Sequence, residues 1–189
     1  KPMLDLTTEL MRSMPFPRLD RIFYATTGAE AVENAIKLAR YTTGRSNIIC
    51  FQGGYHGRTH LTMALTSSSV IYRQRMGTTQ NIFLAPFPYE LHGPRYSSEQ
   101  CLEDLRLMFR QQVLPTEVAA MIIEPILGEG GYVGAPPAFL RGLRQICDEH
   151  SILLITDEVQ TGFGRTGNLF ATTVEPDILV MAKGLASGF

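Results

Sequence analysis

The segment "VAAMIIEPILGEGGYVGAPPAFLRGLRQICDEHSILLITD" (118–157) predicts the fold most directly. It begins with an apolar run at 118–124 and ends with another at 152–157. Between them, 137–149 places apolar residues at helical spacing and starts with a proline that suits a first helical turn. Apolar runs without polar alternation are typical of strands buried on both faces. The segment therefore predicts strand, helix, strand, which is the repeating unit of a parallel sheet.

The rest of the chain continues this rhythm. Further strands are predicted at 21–26, 47–52, 81–86 and 177–182. Further helices are predicted at 29–40 and 98–112, the second with Ser97 or Ser98 as its N-cap. The alternation indicates an α/β fold, with a mostly parallel sheet and helices on both faces.

The composition excludes several classes of protein. Seventeen basic and eighteen acidic residues give a net charge of −1, which offers no basic excess for a nucleic acid. No apolar run approaches the ~20 residues of a membrane span. The three cysteines (Cys50, Cys101 and Cys147) have no C-x-x-C spacing and are predicted to be unpaired, in keeping with a reducing compartment. The expected location is the cytoplasm, or the mitochondrial matrix in a eukaryote, and no metal site is predicted.

The letters "GFGRTG" (162–167) match the G-x-G-x-x-G pattern of dinucleotide sites. That mechanism requires a strand directly before the glycines and a helix directly after them. Four residues separate Asp157 from Gly162, and no helical pattern follows. An irregular loop shaped by its glycines is therefore predicted instead.

Chemically useful side chains follow several of the predicted strands. Lys183 follows the run 177–182, and a neutral lysine can form a Schiff base with an aldehyde cofactor such as pyridoxal phosphate. Asp157 could pair with the pyridine nitrogen, and the turn 27–29 before a helix could bind phosphate. Tyr55 and His56 follow another strand, where an aromatic ring could stack on the cofactor. Each residue alone is more often a turn, cap or surface residue, so the hypothesis depends on their joint placement at one edge of the sheet.

The stretch "LLITDEVQTGFGRTGNLFATTVEPDILVMAKGLASGF" (153–189) resembles the cofactor-attachment signature of the class III aminotransferases. These are pyridoxal-phosphate enzymes of the aspartate aminotransferase fold, fold type I. The blocks "TTGAEAVENAIKLAR" (26–40), "YHGRT" (55–59) and "EPILGEGGY" (124–132) resemble further family blocks in the same order. The resemblance covers essentially the whole chain.

The resemblance implies a role for each matching residue. Lys183 would carry pyridoxal 5'-phosphate as a Schiff base, and Asp157 would pair with the pyridinium nitrogen. Gln160 would donate a hydrogen bond to the phenolic oxygen of the ring. Tyr55 and Val159 would lie against its opposite faces.

The resemblance also assigns residues around the ring. The amides of Gly28 and Ala29 would bind the phosphate, and the hydroxyl of Thr27 could add a further contact. Glu129 would be the gating glutamate near the substrate carboxylate, and Glu124 would support the cofactor region.

The implied activity is transfer of an amino group from an ω-amino acid donor, such as 4-aminobutyrate, ornithine or acetylornithine, to a 2-oxo acid. Alternatives within the fold are an alanine–glyoxylate-type aminotransferase and a dialkylglycine decarboxylase-like enzyme. An alternative of another class is a non-catalytic relative that acts as a binding subunit. The resemblance implies a homodimer or a dimer of dimers.

The chain is expected to be an internal fragment. It begins at Lys1 without an initiator methionine and ends within a glycine-containing turn at Phe189. Residues 1–189 would then be part of a cofactor-binding large domain, without an N-terminal segment and a C-terminal small domain. Such a fragment is expected to be inactive alone.

Overall fold

The computed structural model describes residues 1–77 and 81–186. Its α-helices are α1 (Pro2–Ser13), α2 (Gly28–Thr43), α3 (His60–Leu65), α4 (Ser98–Gln111) and α5 (Pro137–His150). Its strands are β1 (Asn47–Phe51), β2 (Ile82–Ala85), β3 (Val118–Ile123), β4 (Ile126–Leu127), β5 (Val133–Gly134), β6 (Leu153–Asp157) and β7 (Ile178–Val180). Short 3-10 turns lie at Val70–Arg73, Glu90–His92, Pro94–Tyr96, Pro115–Glu117 and Lys183–Ala186.

Five of the strands form one parallel sheet, in the order β2-β1-β3-β6-β7. The strands β4 and β5 form a separate antiparallel hairpin. The sheet order reverses at β1, whose neighbours β2 and β3 lie on opposite sides. In open α/β sheets, the crevice outside the carboxyl ends at such a reversal is where ligands bind.

Helices cover both faces of the sheet, as predicted. Ala120 and Ile122 of β3 belong to the same apolar cluster as the buried residues of α2. Met121 and Ile123, which alternate with them, belong to the cluster that contains the buried residues of α4 and α5. Both side-chain sets of the strand are therefore buried, which explains why its sequence has no polar alternation.

Local sequence signals set the ends of α2. The hydroxyl of Thr27 accepts a hydrogen bond from the amide of Glu30 at 3.1 Å, which caps the first turn. Gly44 ends the helix at φ +69°, a left-handed conformation that glycine adopts without steric cost. Ser97 caps the start of α4 in the same way, because its hydroxyl accepts a hydrogen bond from the amide of Gln100.

The predicted strand at 21–26 is wrong. The segment has no regular secondary structure, although its composition resembles that of the true strands. A strand needs a neighbour with which to exchange backbone hydrogen bonds, and no ladder in the described part of the chain includes this segment. Phe23 is 75% exposed, so burial does not hold the segment in a sheet either.

Two helices were not predicted, and one predicted loop is present. α1 carries an apolar stripe but buries only Leu10, and α3 is a short helix within a polar stretch. The segment 161–167 is a series of turns, with Gly164 at φ +82° and Gly167 at φ +93°, as expected for a loop shaped by glycines. The turn predicted at the chain end falls partly on 187–189, outside the described residues.

The three cysteines are unpaired, as predicted, and all three are buried. Among the described residues, no helix is both long enough and apolar enough to cross a bilayer.

Candidate active site

Asp157 is the last residue of β6, and its carboxylate lies against His56. The Nδ1 of His56 is 2.8 Å from Oδ2 of Asp157, and both side chains are buried. The amide of Val159 donates to Oδ1 of the same carboxylate at 3.1 Å. Burial lowers the pKa of His56, but the hydrogen bond to Asp157 and the charges of Asp157 and Glu124 outweigh it, so its pKa is raised. The geometry therefore favours a protonated imidazole paired with a carboxylate at the sheet edge.

Glu124 follows β3 and links two loops across the reversal point of the sheet. Its Oε1 accepts from the amide of Tyr55 at 2.7 Å, and its Oε2 accepts from the amide of Gly128 at 3.1 Å. Burial raises the pKa of this carboxyl group to about 7, although nearby His56 opposes the shift. Glu124 thus fixes the backbone from which the Tyr55 ring extends.

The N-terminus of α2 packs closely on the strand ends. An ideal Cβ placed on Gly28 would lie 3.0 and 3.2 Å from the two methyl groups of Val159 and 3.5 Å from Cβ of Ala182. Thr27 caps the amide of Glu30. Within the described residues, the amides of Gly28 and Ala29 donate no hydrogen bond, as is usual at a helix start. Two free amides and the positive end of the helix dipole therefore lie beside the residue that precedes Lys183.

Lys183 lies in the 3-10 turn after β7 rather than at the end of the strand, which stops at Val180. Its Nζ donates to Oε1 of Gln160. The side chain of Lys183 is exposed, so this part of the chain does not by itself bury the amine. Gln160 in turn lies against Gly128, where a Cβ would force the Gln160 side chain to move.

Glu129 belongs to a second group of side chains, which it forms with Tyr72 and Tyr55. It accepts a hydrogen bond from the hydroxyl of Tyr72 at 3.3 Å. The ring of Tyr72 contacts that of Tyr55 edge-on, with centroids 5.1 Å apart. The structure links Glu129 to Tyr55 through Tyr72, and none of its hydrogen bonds joins Glu129 to Lys183 or Asp157 in residues 1–77 and 81–186.

Sequence reasoning missed three residues around the site. Tyr72 lies in a stretch without helix or strand pattern, and nothing in the sequence pairs it with Glu129. The hydroxyl of Thr66 accepts a hydrogen bond from the backbone amide of His56 at 2.9 Å, and no sequence motif predicts this contact. Glu158 is a fully buried carboxylate directly after Asp157; an acidic residue at the end of an apolar strand was the available signal.

The residues present fit pyridoxal 5'-phosphate. The cofactor needs an amine, a carboxylate for its ring nitrogen and an anion site for its phosphate. Lys183, Asp157 and the free amides at 28–29 meet these needs, and contacts through Val159, Gln160 and Ala182 bring them to one edge of the sheet. No group of three or more histidine, cysteine or acidic residues suited to a metal ion occurs in the part of the chain that the structure describes.

Comparison with known sequences gives one family over the whole chain. The sequence profile "Aminotransferase class-III" matches residues 1–189. A 5-aminovalerate aminotransferase of Pseudomonas putida is 45% identical over 100% of the chain, and the 4-aminobutyrate aminotransferase of Escherichia coli is 44% identical. A 2-aminoadipate transaminase of Pseudomonas putida is 41% identical over 99% of the chain. The chain spans about 45% of the length of each of these relatives.

Comparison with solved structures gives the same result. An amine transaminase from an uncultivated Pseudomonas species, in its PLP-bound form, superposes over 100% of the chain with a TM-score of 0.92 and 30% identity, and the match covers 46% of that protein. An ω-transaminase from Pseudomonas jessenii in complex with PMP gives a TM-score of 0.92 at 26% identity, with 45% of it covered. Profile, sequence identity and fold agree over the full length of this chain, which therefore belongs to the class III aminotransferase family.

Proposed function

We propose that the full-length protein is a pyridoxal-phosphate-dependent aminotransferase that moves the amino group of an ω-amino acid to a 2-oxo acid. The observation that carries the proposal is the arrangement of an amine, a carboxylate and free helix amides at one sheet edge of a class III family member. Residues 1–189 would form part of its cofactor-binding large domain.

Each residue has a distinct task in this proposal. When bound, pyridoxal phosphate supplies an aldehyde and a ring that accepts the negative charge left when a proton leaves the substrate carbon. Lys183 would hold the cofactor, and its freed amine would then move that proton. Asp157, paired with His56, would keep the ring nitrogen positive. The amides of Gly28 and Ala29 would bind the phosphate.

Residues around the ring would set its position. Val159 lies between Gly28 and the Asp157 carboxylate and would contact one ring face. Tyr55, whose backbone Glu124 fixes, would contact the other face. Gln160 bonds the amine of Lys183 in this structure and would also reach the phenolic oxygen of the ring. Glu129 would act near the substrate carboxylate.

The proposed donor is a linear ω-amino acid, because relatives that are 44–45% identical are named for 4-aminobutyrate and 5-aminovalerate. The test is a donor panel on the full-length protein, with 2-oxoglutarate or pyruvate as acceptor. We expect the highest kcat/KM with 4-aminobutyrate or 5-aminovalerate. Preference for ornithine or acetylornithine would change the donor, whereas alanine with glyoxylate, or release of carbon dioxide from a dialkylglycine, would replace the proposal by the alternative enzymes.

Lys183→Ala tests the chemistry itself. We expect the variant to lose both the absorbance band of lysine-bound cofactor and transamination, because no other described residue at this edge offers an amine. A wild-type protein that binds no cofactor would instead favour a non-catalytic binding subunit. Turnover retained in the variant would refute the assignment of Lys183.

We also propose a homodimer or a dimer of dimers in the cytoplasm. Exposed apolar side chains support an assembly surface, on α1 at Met3 and Leu4 and on a later segment at Val70, Ile71 and Met76. Three unpaired thiols are in keeping with a reducing compartment. Light scattering of the purified full-length protein and cell fractionation test the two statements.

A further inference from the structure

Glu158 is a buried carboxylate that the proposed mechanism does not use. Its side chain is 0% exposed, and both of its oxygens have partners. Oε1 accepts from the amide of Thr172 at 2.7 Å, and Oε2 accepts from the hydroxyl of Thr161. Its backbone amide donates to the carbonyl of Val180 at 2.9 Å, which joins the ends of β6 and β7.

Glu158 does not share the task of its neighbour Asp157. Successive side chains along an extended strand point to opposite faces. The Asp157 carboxylate bonds His56 and the amide of Val159, whereas the Glu158 carboxylate bonds Thr161 and Thr172. Glu158 therefore acts on the loop 158–172 and not on the reacting groups.

That loop supports the turn that carries Lys183 at two points. Gln160 accepts the hydrogen bond from Nζ of Lys183. A Cβ on Gly184 would lie 3.0 Å from Cβ of Phe163 and 3.3 Å from the carbonyl oxygen of Gly162, so the two backbones are in close contact. A change in the loop therefore reaches both the amine of Lys183 and the backbone beside it.

We propose that Glu158 is a positioning residue, which closes the loop 158–172 and thereby holds Gln160 and Lys183 in their working geometry. The loop has left-handed residues at Phe163, Gly164 and Gly167, and its own backbone hydrogen bonds all lie within residues 158–169, so none of them reaches Thr172. The carboxylate supplies two bonds that span it: one to the first turn and one to its far end. The catalytic meaning of this placement rests on the role proposed above for Lys183.

The experiment uses the full-length protein without cofactor. Acetic anhydride at trace concentration labels Lys183 relative to Lys37, an exposed lysine on α2 that serves as an internal reference. Trypsin cleavage after the exposed Arg165 reports on the loop. The variants are Glu158→Ala, Glu158→Gln and Thr161→Val, and Glu149→Ala is the control because Glu149 is exposed and its side chain bonds only Gln145 in the described structure.

We expect Glu158→Ala to raise both the Lys183/Lys37 labelling ratio and the rate of cleavage at Arg165 by about threefold or more, since two buried hydrogen bonds are lost. Glu158→Gln keeps an acceptor for the Thr172 amide and gains a donor to Thr161, so it should match the wild type. Thr161→Val removes one of the two bonds and should give a smaller change of the same sign. Thr161→Val also tests the proposal if Glu158→Ala does not fold.

A second readout adds pyridoxal phosphate and records the circular dichroism of its absorbance band, which reports the orientation of the ring. We expect a changed band in Glu158→Ala and the wild-type band in Glu158→Gln. Faster cleavage at Arg165 with unchanged Lys183 labelling would overturn the proposal, because the carboxylate would then serve the loop alone. Glu158→Gln behaving like Glu158→Ala would overturn it as well. A wild-type protein that binds no cofactor would refute the proposed function, while the labelling result would still decide the role of Glu158.

Discussion

Replacing Gly28 by alanine tests the close approach of α2 to the strand ends. The backbone of Gly28 is not left-handed, so alanine can adopt its conformation and only the close packing against Val159 opposes the substitution. The new methyl group would lie 3.0 and 3.2 Å from the two methyl groups of Val159, closer than ordinary van der Waals contact at about 3.4–4 Å. Either Val159 or the helix start must therefore shift by a few tenths of an ångström.

Gly28 and Val159 are both half-buried, so the cost of that shift is at most the cost of an added methyl group in a protein core. Adding a methyl group to a well-packed site costs about 1–3 kcal/mol. The free protein relieves this strain by a shift of the helix start, and phosphate binding must reverse that shift. We therefore expect Gly28→Ala to weaken binding of pyridoxal phosphate by up to about 150-fold, since about 1.4 kcal/mol is a factor of ten. Val159→Ala removes both methyl groups, so in that background the added methyl on residue 28 should cost little. The coupling energy between the two substitutions in binding should then be up to about 3 kcal/mol.

The assay is a fluorescence titration of four full-length, cofactor-free proteins with pyridoxal phosphate: the wild type, the two single variants and the double variant. Gly134→Ala is the matched control, because a Cβ there meets nothing within 4 Å and its backbone is not left-handed. It should leave the dissociation constant unchanged. If Gly28→Ala costs as much in the Val159→Ala background as in the wild type, the contact does not limit the site and the reasoning fails.

Three further predictions concern the polar side chains of His56, Glu124 and Arg45, the first two buried and the third half-buried. The raised pKa of His56 means that its stabilising contribution is complete below the pKa of an unfolded histidine and is lost as the pH rises through the folded value. The thermal midpoint of His56→Asn should therefore approach that of the wild type as the pH rises above about 6.5, the ordinary pKa of histidine. Burial raises the pKa of Glu124 to about 7 from 4.5, so its effect on stability changes with pH in the opposite direction to that of a salt-bridged carboxylate. The wild type should lose stability as the pH rises through that window, and Glu124→Gln should flatten this loss in melting scans; an equal slope in both proteins would contradict it. Arg45 donates from Nη1 to the carbonyls of Val118, His150 and Ser151 at 3.0–3.1 Å. Arg45→Met should cost about 2 kcal/mol, seen as a lower melting midpoint, without changing the affinity for pyridoxal phosphate.

The apolar runs and the helix stripes were sufficient to predict the architecture. β3 is apolar at every position because both of its faces are buried, and the apolar stripe at 29–40 predicted a helix that the structure extends to Gly28–Thr43. These signals are local, so one sequence displays them. The failure at 21–26 has the opposite cause: strand composition does not reveal whether a neighbouring strand exists, and that depends on the order of the whole sheet.

The candidate site also has a part that the sequence predicts and a part that only the structure shows. The sequence by itself determined that an amine, a carboxylate and a helix start follow apolar segments, and the resemblance to the class III aminotransferases supplied their roles. Only the tertiary structure decided that His56 lies against Asp157, that Glu124 holds the backbone of Tyr55, that Tyr72 bonds Glu129, and that Glu158 closes the loop beside Lys183. Most of these contacts join residues far apart in the chain, and the neighbours Asp157 and Glu158 bond entirely different partners. Their geometry arises from strand order and packing, which no short stretch of sequence encodes.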